Sequence, residues 1–191
     1  MPRGLFSHAR NPWNEKGIDA LKMAPPFRSI FCSIHPGLIL VCLLVSFPGM
    51  AAKQLDLPQY STVYDAKRDP YADTRAALKL ARETHRKVLI EVGGDWCTWC
   101  HILDNFLKNH PVVASRIHNT FVVLKVNISD ANDNAKFMET LPPARGYPHM
   151  YIADSSGTVL HSQDTAQFLV NKEYSEQQFI LFLDYWQNQS D

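Results

Sequence analysis

Cysteine is scarce in this chain. Four occur in 191 residues: Cys32 and Cys42 near the start, and Cys97 and Cys100 two residues apart in the middle. There is no second Cys-x-x-Cys pair, which argues against a structural zinc site. Net charge is also missing, with 19 Lys/Arg against 19 Asp/Glu. No basic stripe with interleaved aromatics appears after residue 51, so nucleic acid is excluded as an expected partner. No internal repeat and no low-complexity tract is present, and no apolar run reaches the roughly 20 residues of a membrane-spanning helix. With 46% apolar residues, the chain is long enough for one domain with a proper core.

The first fifty residues read as a targeting segment. Residues 1–51 carry five Lys/Arg and two Asp/Glu, whereas residues 52–191 carry fourteen and seventeen. Arg28 precedes the short apolar run Leu38–Phe47, and Pro48-Gly49-Met50-Ala51-Ala52 follows with small residues. A positive start, an apolar middle of about 7–15 residues and a small-residue exit define a secretory signal. Cleavage is expected after Ala51 or Ala52. A retained membrane anchor is the alternative, and membrane contact is expected in that case alone. Residues 1–22 are polar and Arg/Pro-containing upstream of Met23, which reads as the true start of translation. Loss of the signal would remove Cys32 and Cys42. The mature chain would then hold the Cys97/Cys100 pair in an oxidising, periplasmic or otherwise exported space. A bridge between them closes a tiny loop, and long loops gain most from cross-linking, so a structural staple explains the pair poorly.

Residues 52–66 read as an extended lead-in, and residues 67–191 as the folded domain. Asp69-Pro70 is a helix start, with Asp capping and Pro in the first turn. Ala77, Leu80, Ala81 and Thr84 share one face of a helix over roughly residues 71–85. The run Val88–Val92, ended by Gly93-Gly94, suits a buried central strand. A second helix is expected from about Cys97 past Asn109, with Pro111 marking a break and Val112–Ile117 continuing for a turn or two. Phe121–Val126 is the clearest strand. A short helix near residues 134–140 ends at Pro142-Pro143. Strands His149–Ala153 and Thr158–Ser162 flank a turn at Asp154-Ser155-Ser156-Gly157. The last helix opens at Ser175 with Gln178 completing a capping-box pattern, and buries Phe179, Phe182, Leu183 and Trp186. The order α–β–α–β–α–β–β–α implies an α/β fold with a mixed central sheet covered by helices on both faces.

The chemistry concentrates in Asp95-Trp96-Cys97-Thr98-Trp99-Cys100-His101. The segment follows a buried-type strand and opens a helix, whose first turn offers unpaired N–H groups and a positive dipole end. Both favour a thiolate, so Cys97 is expected to be the exposed, attacking sulfur. Cys100, three residues on along the same helix face, can attack the resulting mixed disulfide and release the substrate.

Trp-Cys-x-x-Cys after a strand, with Tyr147-Pro148 before a later one, resembles the thioredoxin superfamily. The stretch Glu91–His101 is similar to exported bacterial thioredoxin-like proteins with a Trp-Cys-x-Trp-Cys centre. The resemblance covers about residues 64–188 and implies a thioredoxin-like three-layer sandwich. It implies thiol–disulfide oxidoreductase activity on protein disulfides, with a redox-active Cys97–Cys100 disulfide, no organic cofactor and no metal. It also implies that Glu91, six residues before Cys97, is a buried acid. A desolvated carboxyl favours its protonated form and could trade a proton with Cys100 through a water. Pro148 matches the family's cis-proline, and Trp96, Trp99, Tyr147 and Pro148 are expected to line the substrate groove. Thr98-Trp99 replaces the common Gly-Pro, and Tyr147 replaces the Thr often found before the cis-proline. Absence of a His between the cysteines favours a reductase or redox-partner role over bulk oxidase. The expected partners are protein thiols and disulfides and a redox partner, with the chain itself a monomer. His101 is expected to face sideways.

Two rival readings share these residues. Cys97-x-x-Cys100-His101 spells a c-type haem attachment signal with His101 as iron ligand. Cys97, Cys100 and His101 or His149 also form a soft ligand set for a copper chaperone.

Overall fold

The computed structural model describes residues 57–189. The expected signal segment, with Met23, Cys32, Cys42 and the cleavage point, lies outside the described residues. The first described stretch was expected to be extended, but it opens with one 3-10 turn at Gln59–Ser61 that buries Tyr60 and Ser61. The Ser61 hydroxyl donates to the Val123 carbonyl at 2.8 Å, which ties the turn to the sheet. From there the chain enters helix α1 (Pro70–Thr84) and strand β1 (Lys87–Gly93). Helices α2 (Thr98–Asn109) and α3 (Pro111–Thr120) lead into strand β2 (Phe121–Asn127). A single turn, α4 (Ala135–Met138), precedes strands β3 (His149–Ala153) and β4 (Val159–Asp164). A 3-10 turn at Thr165–Phe168, a two-stranded ribbon of β5 (Leu169–Val170) and β6 (Glu173–Tyr174), and helix α5 (Glu176–Gln187) complete the fold.

The main sheet has the order β2-β1-β3-β4. β1 and β2 run parallel, and β3 is antiparallel to both β1 and β4. Period-2 alternation splits the strands' side chains between two cores. Val88, Ile90, Val92, Val122, Leu124 and Val126 pack with Ala77 and Ala81 of α1 and Phe137 of α4. Leu89, Phe121, Val123, Met150 and Ile152 face the opposite side, against Leu103 of α2, Val113 and Ile117 of α3, and Phe179, Phe182 and Leu183 of α5. A mixed sheet between two helical layers is the expected three-layer architecture.

Several elements depart from expectation. Pro111 breaks the helix as expected, but the stretch expected to continue it is a separate helix with Pro111 at its first position. His110, at φ −122°, ends α2 and begins α3, consistent with the constraint a proline places on the residue before it. Thr84 is exposed and Leu80 half-buried, and the buried face of α1 runs instead through Pro70, Asp73, Ala77 and Ala81. Ser175 stands at the N-cap of α5, but its side chain makes no capping hydrogen bond. The β5–β6 ribbon had no expected counterpart. Its turn places Asn171 and Lys172 at φ 52° and 67°, the left-handed pair of a tight hairpin.

Asp69 caps α1 as its sequence indicates, accepting from the Tyr71 amide at 2.9 Å. Asp69→Ala is expected to lower stability by about 1 kcal/mol, measured as a shift in the urea midpoint with no change in slope.

Candidate active site

Cys97 is the N-cap of α2, directly after the turn that leaves β1, and Cys100 lies in the helix's first turn. The two are joined as a disulfide with Cα atoms 5.2 Å apart. The Cys97 sulfur also accepts from the Cys100 amide at 3.1 Å. An N-cap sulfur that receives a backbone N–H sits where a thiolate would be stabilised by both the bond and the helix dipole. Cys97 was expected to be exposed, but in this disulfide form it is 3% exposed and Cys100 1%. Tyr64 packs with both cysteines, and Tyr147 adjoins them. Trp96, 56% exposed, stands outside this cluster. Its indole N–H donates to the Ile128 carbonyl, and its ring meets Tyr147 edge-on at 5.6 Å.

Glu91 lies in the middle of β1, buried on the α2 side of the sheet. It was expected as a buried acid reaching Cys100 through water; it is buried, and it belongs to a cluster. The Tyr64 hydroxyl donates to Glu91 Oε1. Lys125, its register neighbour on β2, brings Nζ to 3.6 Å from the same oxygen and to 2.5 Å from Asp104 Oδ1 on α2. The Lys125 ammonium also lies 4.7 Å from the Tyr64 ring centroid. A cavity of about 320 Å³ opens beside Glu91, Asp104 and Lys125 and continues past His118 and Met150. Tyr64, Lys125 and Asp104 were missed as site residues. Lys125 had a signal in the sequence, because a lysine inside an apolar strand needs a buried partner. Tyr64 had none, since its partner is 27 residues away.

On the other side of the disulfide, Trp99 is 40% exposed and meets Tyr174 edge-on at 6.1 Å. A groove of about 270 Å³ runs along Trp99, Arg145, Tyr147, Pro148, Asp164 and Tyr174. The Tyr147–Pro148 peptide bond is cis. Thr165 Oγ1 donates to the Pro148 carbonyl at 2.6 Å, which ties that loop to the turn before β5. The structure therefore gathers Cys97, Cys100, Trp96, Trp99, Tyr147 and Pro148 around one surface, with Glu91 beneath it.

His101 faces sideways, and a ring nitrogen lies 2.7 Å from the Asp95 carbonyl oxygen. His149 is buried in β3, with Nε2 2.8 Å from the Ser162 hydroxyl. Among the described residues no three His, Cys, Asp or Glu side chains converge in a way that could hold a metal ion. No helix of the described residues is long and apolar enough to cross a membrane.

The buried titratable groups set pH limits on both sides. Burial first, then the charge of Glu91 and its hydrogen bond, hold the Tyr64 hydroxyl well above its ordinary value of 10.0. Burial likewise pushes Tyr151 and Tyr174 up to about 12. Burial pulls Lys125 down, but Glu91 and Asp104 outweigh it and leave it raised from 10.5. Each of these groups keeps its proton more firmly when folded. Their contribution is present at neutral pH and is lost as pH rises above about 10, where the unfolded chain releases protons first. Burial lowers His118 and His149 from 6.5. These two take up protons more readily when unfolded, so stability also falls as pH drops below about 6.5. Urea midpoints are expected to be nearly flat between these limits and to fall outside them. His118→Gln is expected to soften the acid-side fall, and an unchanged slope there would contradict the assignment.

This fold, with a Cys-x-x-Cys pair at the N-terminus of a helix that follows a central strand, defines a thioredoxin-like domain. Residues 69–155, a little under half of the chain, match the family model described as Thioredoxin-like. It is similar to the thiol:disulfide interchange protein DsbD of Photorhabdus laumondii, at 23% identity over 97 residues, which are 51% of this chain and 17% of that protein. The match thus spans less than a fifth of the relative's length. Among solved structures, the disulphide isomerase from Xylella fastidiosa Temecula1 aligns at TM-score 0.56 and 24% identity, covering 70% of this chain and 99% of that one. The oxidised C-terminal domain of Neisseria meningitidis DsbD aligns at TM-score 0.46 and 15% identity, covering 66% and 99%.

Proposed function

We propose that this protein is a thiol–disulfide oxidoreductase acting on protein disulfides through Cys97 and Cys100. The observation that carries the reading is the position of the pair, bonded to each other at the N-cap and first turn of α2. Cys97 is the attacking thiolate. Its sulfur forms a bond to one sulfur of the substrate disulfide, and the other substrate sulfur leaves as a thiolate that takes a proton from solvent. Cys100 then attacks Cys97, closing the Cys97–Cys100 bond and releasing the second substrate thiol. Two electrons pass from the cysteine pair to the substrate, and no organic cofactor or metal is called on. Glu91 serves as proton acceptor for Cys100. Trp96, Trp99, Tyr147 and Pro148 form the surface that receives an extended substrate segment.

The setting is an exported space, the periplasm or its equivalent, and the partners are protein disulfides and a redox protein that resets the pair. Thr98-Trp99 between the cysteines lacks a His, which favours a reductase or redox-partner role. The test is catalysed reduction of insulin with dithiothreitol as electron source. Turnover well above the uncatalysed rate is expected. A rate equal to that of dithiothreitol alone would overturn the proposal.

A further inference from the structure

The Glu91 carboxyl has a hydroxyl on it, and that hydroxyl belongs to a side chain packed against both active-site sulfurs. Tyr64 donates to Glu91 Oε1 and forms one buried cluster with Cys97 and Cys100. Gly93, at the end of β1, makes the approach possible. A Cβ at that position would stand 2.5 Å from the Cys100 sulfur and 2.9 Å from the Tyr64 oxygen. The sulfur and the hydroxyl therefore crowd the same point, above a residue that has no side chain. We propose that the Tyr64 hydroxyl carries the proton between Cys100 and Glu91. This inference rests on the thiol–disulfide reading above and deepens its resolving step.

In that step Cys97 is bonded to a substrate sulfur and Cys100 is a thiol. The Cys100 S–H gives its proton to the Tyr64 oxygen as Tyr64 gives its own hydroxyl proton to Glu91. The Cys100 sulfur then attacks Cys97, the bond from Cys97 to the substrate breaks, and the substrate thiolate takes a proton from solvent. Tyr64 ends as it began, and Glu91 holds one proton more. Burial and the adjacent carboxylate keep Tyr64 protonated at neutral pH, which suits a group that exchanges protons and never has to exist as a phenolate. Lys125 and Asp104 continue the cluster from Glu91 towards solvent. The Asp104 side chain is 44% exposed, which gives the proton a way out through the cavity beside it.

The ionisable groups around Tyr64 are Glu91 on β1, Cys97, Cys100 and Asp104 on α2, Lys125 on β2, Tyr147 before β3 and Tyr174 on β6. Of these, Glu91 is the group bonded to its hydroxyl in this structure. The Tyr64→Phe substitution keeps the ring that packs on the sulfurs and removes the hydroxyl. The experiment uses protein carrying Cys32→Ser and Cys42→Ser, reduced and mixed with a disulfide-bonded peptide. Release of the first and second peptide thiols is followed separately across the pH range.

Tyr64→Phe is expected to slow the second release by about 10²-fold, far more than the first, and to move its pH profile to the alkaline side. Adding Glu91→Gln to Tyr64→Phe should slow it no further, because the two groups act in series. If Glu91→Gln shifts the profile and Tyr64→Phe leaves it as in the parent, Glu91 reaches Cys100 without Tyr64 and the inference is overturned. If neither single variant moves the profile, the relay through Glu91 fails as well, while disulfide exchange by the cysteines stands. Should Tyr64→Phe not fold, 3,5-difluorotyrosine at position 64 keeps ring and hydroxyl and makes the latter more acidic. A changed rate of second release would then support the relay, and an unchanged rate would overturn it.

Discussion

Cys97→Ser is expected to bring disulfide reduction down to background, a loss of about 10⁴-fold or more on the scale seen when an enzyme's nucleophile is deleted. The reason is chemical. Cys97 sits at the N-cap of α2 and receives the Cys100 amide on its sulfur. This environment favours a thiolate, whereas a serine hydroxyl in the same place stays protonated and cannot bond to sulfur usefully. Cys100→Ser is expected to fail differently. Cys97 still attacks, but nothing displaces the substrate from it, so a covalent adduct of protein and substrate accumulates. The intact mass should rise by that of one substrate thiol less two hydrogens and return on adding dithiothreitol. The two variants thus separate attack from resolution. An adduct formed by Cys97→Ser, or full turnover by both, would reverse or remove the assigned roles. Fold loss is a poor explanation for either outcome, because a bridge between residues three apart constrains the unfolded chain little.

The second large effect is on stability. Lys125→Met is expected to cost about 3–5 kcal/mol at pH 8, because it leaves a buried carboxylate without its cation. Glu91 is 2% exposed and the Lys125 side chain 7%, so the pair is largely withdrawn from solvent. The Asp104 contact is the shorter one, at 2.5 Å against 3.6 Å, but the Asp104 side chain is 44% exposed. Solvent screens that pair, and its loss should matter little. A whole domain is stabilised by only about 5–15 kcal/mol, so the variant should melt far below the parent. Lys125→Met with Glu91→Gln should recover most of the loss, since an uncharged amide can keep the Tyr64 hydrogen bond without a counter-charge. A Lys125→Met chain as stable as the parent at pH 8 would show that the carboxylate is compensated in some other way.

Much of this arrangement can be read along the chain. The β-branched runs Val88–Val92 and Phe121–Val126 mark the two parallel strands, and Asp69-Pro70 marks the start of α1. Glycines after the first run and the cysteines beyond them place the sulfurs at a strand-to-helix turn. These features are local, with each residue's neighbours in sequence carrying the information.

What escaped the sequence is non-local. Tyr64 sits in a stretch with no periodicity, and its place against the sulfurs depends on a glycine and an acid of β1, 27 and more residues on. Lys125 looks like one polar residue in an apolar strand until the β1–β2 register sets it opposite Glu91. The β5–β6 ribbon is two residues a side, too short for alternation to show, yet it supplies the Tyr174 that meets Trp99. Burial of Cys97 was missed for the same reason. The helix-start motif shows where the sulfur lies, but not that Tyr64 packs against it from the lead-in and that Tyr147 adjoins it from the loop before β3.

The most direct test of the central claim uses chain carrying Cys32→Ser and Cys42→Ser, fully reduced and mixed with an equimolar peptide containing one disulfide. Peptide thiols and the protein's bonds are then counted by mass. Two peptide thiols released for each Cys97–Cys100 bond formed is the predicted result. A peptide left oxidised beside a still-reduced Cys97 and Cys100, with thioredoxin reducing the same peptide in parallel, would contradict the account.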